Sequence, residues 1–521
     1  MKLGIGIRII ILGLLSLVLT ACFHDGANAP NNNDPNPDPG PSQTTGTISG
    51  QVMDGLTGQT VASATVSVAG QTTTTAADGS FTLTGIDPAD RIIVDVTRGG
   101  FADQQKIVRL AGGGDTVNVS VRLLPIGVTQ VFNPDTAQTV TDASSPASVA
   151  LAAGALAQAD GSAPVGDVTA EMTVIDPTVD IELMPGDMQA DVGGGVLAPI
   201  ESFGAITVNF ADASGNELNL AQGSSATIRI PLADRSGNPP ATIPLFFYDQ
   251  TTGAWVEEGT ATLVNDAAGD YYEGTVSHFS TWNADFLYEQ ITVTGCVQNA
   301  LGEAVSGAEV VAVGDDYSGR SSAYTDASGN FSIIVKPNAS VLISASKSGD
   351  TTNTVRLVTM GSDQAMDSCL VLSDSSGGAG DTGVSIKLTW GASPTDLDSY
   401  LVGPNNVRVY FANRGSLTGF PYAQLDVDDV TSFGPEVITI FNFPGAGTYV
   451  YSVHNFSGTF TPGITGSPAR VELNNNGNVT IFTPPAGEGT TNYTWNVLEF
   501  VVADDGSFVV NPVNTWSASR P

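Results

Sequence analysis

Short runs in which apolar and polar residues alternate, each closed by an Asp-Gly or Gly-rich turn, occur in the same order twice along this chain. In residues 46–125 apolar side chains alternate at Ala64, Val66 and Val68, at Phe81 and Leu83, and at Val117, Val119, Val121 and Leu123, with Ala77-Asp78-Gly79 between runs. Period two puts every second side chain on one face, so these runs read as strands with one buried side. Residues 290–373 repeat the order, through Val293-Thr294-Gly295-Cys296-Val297, Val305-Ser306-Gly307-Ala308-Glu309-Val310 and Thr325-Asp326-Ala327-Ser328-Gly329-Asn330-Phe331. Equivalent glycines lie 245 residues apart at Gly50 and Gly295 and 250 apart at Gly79 and Gly329, a drift small enough for an internal duplication. Only 14% of residues are charged, against 59 Gly and 29 Pro, which disfavours long helices. The expected fold class is all-β, a multi-domain chain of β-sandwiches; at roughly 150 residues per domain the length suggests three or four.

Charge excludes several functions. With 53 acidic and 18 basic residues the chain carries −35, and no basic patch is present to neutralise phosphates, so nucleic acid is not an expected partner. Three histidines and three cysteines, widely spaced, leave little for a zinc hydrolase or a Ser-His-Asp enzyme, and neither His-Glu-x-x-His nor Gly-x-Ser-x-Gly occurs. The chain reads as not an enzyme. The alternative left open is a hydrolase with an unrecognised carboxylate pair, because such carboxylates need not be neighbours in sequence.

The front of the chain reads as an address. Lys2 and Arg8 precede Ile9-Ile10-Ile11-Leu12-Gly13-Leu14-Leu15, a core short for a membrane span and typical of a secretory signal. The segment ends Leu19-Thr20-Ala21-Cys22, which resembles the lipobox of bacterial lipoproteins. That resemblance implies a signal peptide over 1–21, cleavage before Cys22, and lipid on its sulfur and new amino group; the alternative is an ordinary signal peptide. Phe23 stands where an Asp would imply inner-membrane retention, so the expected location is the outer membrane, on either face. Residues 22–45, rich in Pro and Asn, cannot form a core and are expected to be a tether. Without residues 1–21 the chain has 16 basic and 53 acidic residues, so anionic lipid should repel it and lipid on Cys22 alone would anchor it.

The two repeated segments, 46–125 and 289–373, share G-x-V and T-x-x-x-G-x-F, with Ser63-Ala64-Thr65-Val66 in the first where the second has the G-A-x-V of Gly307-Ala308-Glu309-Val310, and both resemble the carboxypeptidase regulatory-like domain, a small transthyretin-like β-sandwich. The resemblance implies a fold and an adhesive or structural habit, with no active site. With Cys22 lipidated, Cys296 and Cys369 remain, on the expected first and last strands of the second copy, and an exported pair is expected to oxidise. Two free buried thiols are the alternative.

Between the copies, residues 126–288 alternate strands with Gly- and Asp-rich turns. Met184-Pro185-Gly186-Asp187, Tyr248-Asp249 with Gly253-Ala254-Trp255, and His278-Phe279-Ser280 resemble a β-sandwich region of bacterial surface lipoproteins and of cartilage intermediate layer proteins, which implies an extracellular structural role. His278 has no paired ligand nearby in sequence and is expected to cap or pack.

Residues 380–521 hold 19 of the 38 aromatics, which suits a larger packed sandwich; Tyr449, Tyr451 and Val453 alternate as core residues would. The alternative is an exposed platform for sugar or protein. Asp505-Gly506 between Phe500-Val501-Val502 and Phe508-Val509-Val510 signals a hairpin. Asp396-Leu397-Asp398 and Leu425-Asp426-Val427-Asp428-Asp429, followed by Glu436, place carboxylates two residues apart, on one side of an extended segment. With 39 Asp in the chain, roughly three such pairs arise from composition alone, so spacing by itself supports no site. Trp390 with Asp396-Leu397-Asp398-Ser399-Tyr400-Leu401 resembles the acidic edge of bacterial prepeptidase C-terminal domains, calcium-binding sandwiches, and the whole stretch also resembles an uncharacterised module of bacterial exported proteins. The first resemblance implies Ca²⁺ held by Asp396, Asp398, Asp426, Asp428 and Glu436. His454, among the aromatic strands, is expected at the core or its edge. Together these readings describe a lipid-anchored, non-catalytic envelope protein of four sandwiches in a row, serving adhesion, binding or scaffolding, its partner an unknown protein or polysaccharide. The alternative is a calcium-dependent carbohydrate- or protein-binding module at the end of the chain.

Overall fold

A computed structural model describes residues 45–111, 114–373 and 381–521. The signal segment, Cys22, the tether before residue 45 and the Ser-Gly stretch 374–380 lie outside the described residues. Nearly all regular structure is strand, and no described sheet pairs strands from two of the four segments outlined above.

The first module packs a three-stranded sheet (Ser80–Ile86, Gly46–Asp54, Thr116–Leu123) on a four-stranded one (Gln71–Thr74, Thr65–Val68, Ala89–Thr97, Gln104–Leu110). The alternating residues are its core, with Ile48, Val66, Val94 and Val121 all inaccessible to solvent. The third module repeats the plan, and the shared sequence pattern has the same physical cause in both. Gly50 lies opposite Phe81 and Gly295 opposite Phe331 across antiparallel strands. A Cβ at Gly295 would lie 2.5 Å from the Phe331 ring, so the glycine makes room for the aromatic of the partner strand. The buried threonine of T-x-x-x-G-x-F staples a loop in each copy. Thr75 Oγ1 accepts from Ala64 N and donates to Val61 O, and Thr325 Oγ1 accepts from Ala308 N and donates to Val305 O. Cys296 is bonded to Cys369, just before the strand Leu370–Leu372 that runs parallel to Ile291–Asn299.

In the second module thirteen strands form one continuous hydrogen-bonded sheet around a core that includes Ile206, Val208, Tyr272 and Trp282. The fourth module packs a six-stranded sheet on a five-stranded one. Tyr449, Tyr451, Val453 and Trp495 are all fully buried between them, so these aromatics are core. The expected hairpin is present, with Thr494–Val502 paired to Phe508–Ser517 and Ala503 N bonded to Ser507 O.

The modules do not simply follow one another in a row. Residues Gln43–Pro521 form one unit in which the fourth module returns to the first. Met53 packs on Val479 and Ile481, and Arg470 Nη1 donates to Gly55 O at 3.0 Å. More than half of the 16 basic residues beyond Ala21 lie at joints between modules, Arg109 over the Tyr324 ring among them. Arg91 pairs with Asp187, Lys106 and Arg320 with Glu182, Lys336 with Glu201, and Arg356 with Asp429. Arg235 donates to Gly314 O. Arg122, only 4% exposed, pairs with Asp180 of the second module and at 2.8 Å with Glu472 of the fourth, while Arg470 reaches Asp180 at 3.2 Å. Burial opposes ionisation of Glu472, but Arg122, Lys387 and Arg470 outweigh it and hold its carboxyl at about 2. In a chain this acidic, burying carboxylates at joints requires a cation beside each, and the scarce basic residues are used there.

Candidate cation site

The acidic cluster stands at one edge of the fourth module. Asp398 belongs to the strand Leu397–Val402 and lies opposite His454 on Gly447–Asn455. Glu436 opens the strand Glu436–Asn442 of the other sheet, fully buried, with Oε2 accepting from Ser399 N. Asp428 follows the strand Ala423–Val427. Its loop is tied to the third module by Arg356, which donates to Asp428 O at 3.1 Å and to Asp429 Oδ2 at 2.7 Å. One oxygen each of Asp398, Asp428 and Glu436 lies within 4.8 Å of the others. Glu436 Oε1, Asp428 Oδ1 and Asp396 Oδ1 are buried and receive no hydrogen bond.

Such an arrangement is costly with every carboxylate ionised. Burial, then the charges of Asp428 and Asp429, push Asp396 up to about 6. Burial and then Asp396 push Asp398 up to about 7 against the opposing pull of Arg520 and Tyr400. Burial raises Glu436 well above the usual range. Converging carboxylate oxygens without donors are satisfied by shared protons or by a cation. A donor set made only of carboxylates suits a hard ion such as Ca²⁺, which takes six to eight oxygens and completes its shell with water.

Of the five residues read as ligands, Asp398, Asp428 and Glu436 converge and Asp396 stands beside them. Asp426 does not join them. One extra residue bulges between Leu425 and Val427 in the pairing with Glu436–Asn442, and the strand ends at Val427, so a two-residue spacing no longer holds one face. Asp426 instead accepts from Thr354 N at 2.9 Å, Thr439 Oγ1 at 2.7 Å and Gln424 Nε2 at 3.1 Å, a joint to the third module. Sequence reading missed Arg520, whose Nη2 lies 3.3 Å from Asp398 Oδ2 and whose Nε donates to Tyr400 Oη. Arg520 is 122 residues from Asp398, and no local pattern signals the pair.

His454 is buried, shares a hydrogen bond with Thr494 through Nδ1, and is pushed down to about 4 by burial and then by Arg520. It is a neutral packing residue near neutral pH. The His278 ring is wedged between Phe247 and Trp282, and its carbonyl accepts from Trp282 Nε1. The pieces Met184-Pro185-Gly186-Asp187 and Gly253-Ala254-Trp255 meet at the joint with the first module, where Arg91 bonds Asp187 and Gly253 O.

Comparison with known proteins accords with the duplicated plan. Residues 47–124 and 292–372 match the carboxypeptidase regulatory-like domain family, and these two segments are regulatory-like domains. Among solved structures the chain is similar to the TIE protein of Bacillus anthracis, at 10% identity over 63% of this chain and 51% of that one, with a TM-score of 0.15. It is similar to a membrane-associated protein of unknown function from Bacteroides fragilis, at 10% identity over 48% and 100% of the two chains and a TM-score of 0.14. The major pilin subunit BcpA of Bacillus cereus gives 10% identity over 63% and 99%, again with a TM-score of 0.14. The chain spans about half the length of the TIE protein, and likenesses this slight carry no argument about activity. No curated protein matches it. Among the described residues no helix is long and apolar enough to cross a membrane, which says nothing of a β-barrel.

Proposed function

We propose that this chain is a lipid-anchored, non-catalytic protein of a bacterial outer membrane whose joined β-sandwiches display a cation-dependent binding face on the fourth module. The observation that carries the reading is the set of buried, donor-free oxygens on Asp396, Asp428 and Glu436, gathered beside Asp398. A divalent cation would be held by Asp398, Asp428 and Glu436, with Asp396 adjoining, and would offset charge that Arg520 balances only in part. Two features support a display role. The ion-paired joints hold the modules in one body, and the rings of both described histidines pack against aromatic side chains. The expected ligand is a polysaccharide or protein of the cell envelope, and lipid on Cys22 supplies the anchor.

The test is thermal unfolding of soluble protein beginning at Gln43, in Ca²⁺, in Mg²⁺ and in metal-free buffer. An ion that binds only the native form raises the midpoint, by about 2.7 kcal/mol of stability at roughly 100 times its dissociation constant. A rise with Ca²⁺ supports the reading. No response to any divalent ion refutes it and leaves a passive scaffold. For the anchor, Cys22→Ser should move the protein from the membrane to the soluble fraction of the cell envelope.

A further inference from the structure

We infer that Arg520 and a divalent cation are alternative occupants of the acidic site, so that cation binding releases the segment 518–521 and bares an aromatic face. The inference rests on the cation reading above and concerns how that site is controlled. Asp398 is paired with Arg520 at 3.3 Å, Asp396 lies within the field of the same guanidinium, and Asp428 and Glu436 converge on Asp398. The guanidinium bonds Asp398 Oδ2, which also accepts from Tyr400 Oη at 3.3 Å. Asp398 is therefore the group both cations need. An ion drawn between Asp398, Asp428 and Glu436 pulls electron density from that carboxylate and sets two positive charges beside the guanidinium, so each occupant weakens the other.

The arginine also covers something. Its guanidinium carbon lies 5.1 Å from the ring centres of Phe411 and Phe456 and 5.6 Å from that of Tyr400. Phe411 and Phe456 are 36% and 48% exposed even under it. The segment is attached in a way that permits release. The strand Phe508–Ser517 ends before it, and its links to the rest of the module run through Arg520, the stacked rings and Arg408, which donates to Pro521 O. Arg408 itself rests on Tyr410 at 4.7 Å. These contacts are side-chain contacts at a partly wet surface, each weak enough for an ion to outweigh.

Because coupling between two ligands is reciprocal, removing one must strengthen the other by the same factor. Calorimetric titration of Ca²⁺ into wild type and Arg520→Gln is expected to show tighter binding in the variant, by about 5- to 150-fold. Hydrogen exchange should report the other side of the competition, with the amides of residues 518–520 exchanging faster in wild type once Ca²⁺ is added. Arg520→Lys keeps the charge and is expected to fall between the two. Equal affinities in wild type and Arg520→Gln, or weaker binding in the variant, overturn the competition while leaving the cation site standing. Absence of Ca²⁺ binding in both proteins overturns the site and the inference together.

Discussion

Replacing Asp398 by Asn separates the cost of the acidic cluster from its use. The Asp398 carboxyl, 3% exposed, is raised from 3.8 to about 7, first by burial and then by Asp396. A carboxyl that holds its proton more tightly in the fold than in the unfolded chain favours folding in acid, and this stability is lost as pH climbs from about 4 through 7. At pH 8 the ionised group costs the cation-free fold about 4 kcal/mol. Asn carries no charge and still accepts from Tyr400, and the ionic part of the bond from Arg520 is already counted in the raised titration. In metal-free buffer Asp398→Asn should therefore be more stable than wild type by about 4 kcal/mol at pH 8 and by under about 2 kcal/mol at pH 5. Ca²⁺ at roughly 100 times the wild-type dissociation constant should close more than half of the gap at pH 8 by stabilising wild type alone. Urea unfolding followed by tryptophan fluorescence, with Trp390 and Trp495 buried in this module, measures each term. A variant less stable than wild type by the same amount at both pH values would refute the reasoning, because the ion pair with Arg520 would then outweigh the crowding of carboxylates.

The bond between Cys296 and Cys369 closes 73 residues, so Cys369→Ser or reduction should cost the third module ~4 kcal/mol, measured by unfolding with and without reductant. Arg122→Ala leaves Asp180 and Glu472 buried with one cation fewer and should cost ~3–5 kcal/mol. The variant should also separate the modules, so a scanning calorimeter is expected to resolve two transitions where wild type shows one.

What was legible in the chain is whatever local periodicity and turn chemistry control. Alternation at Ala64, Val66 and Val68, or at Tyr449, Tyr451 and Val453, states which face is buried, and the structure buries those faces. The Asp505-Gly506 turn, the duplicated module and the pairing of Cys296 with Cys369 follow from turn chemistry, from one repeated pattern and from the expected first and last strands of the second copy. The aromatic richness of the last module reads correctly as core for Trp495 and Tyr451, yet Phe411 and Phe456 stay at the surface under a guanidinium.

Asp396, Asp398, Asp428 and Glu436 were visible as acidic candidates through the resemblance to calcium-binding sandwiches, since the two-residue spacing alone supports no site. Asp426 is itself the bulged residue, which reversed the expectation there, and bulges carry no reliable local signature. The sequence by itself therefore determined the all-β character, the duplication, the buried faces and the disulfide, all set by interactions within a strand or between adjacent strands. Only the tertiary structure decided that the fourth module closes back on the first, that Arg122 and Arg470 share Asp180, and that Arg520 shares Asp398. The reason is physical: a salt bridge needs two charges at contact distance and is indifferent to the number of residues between them.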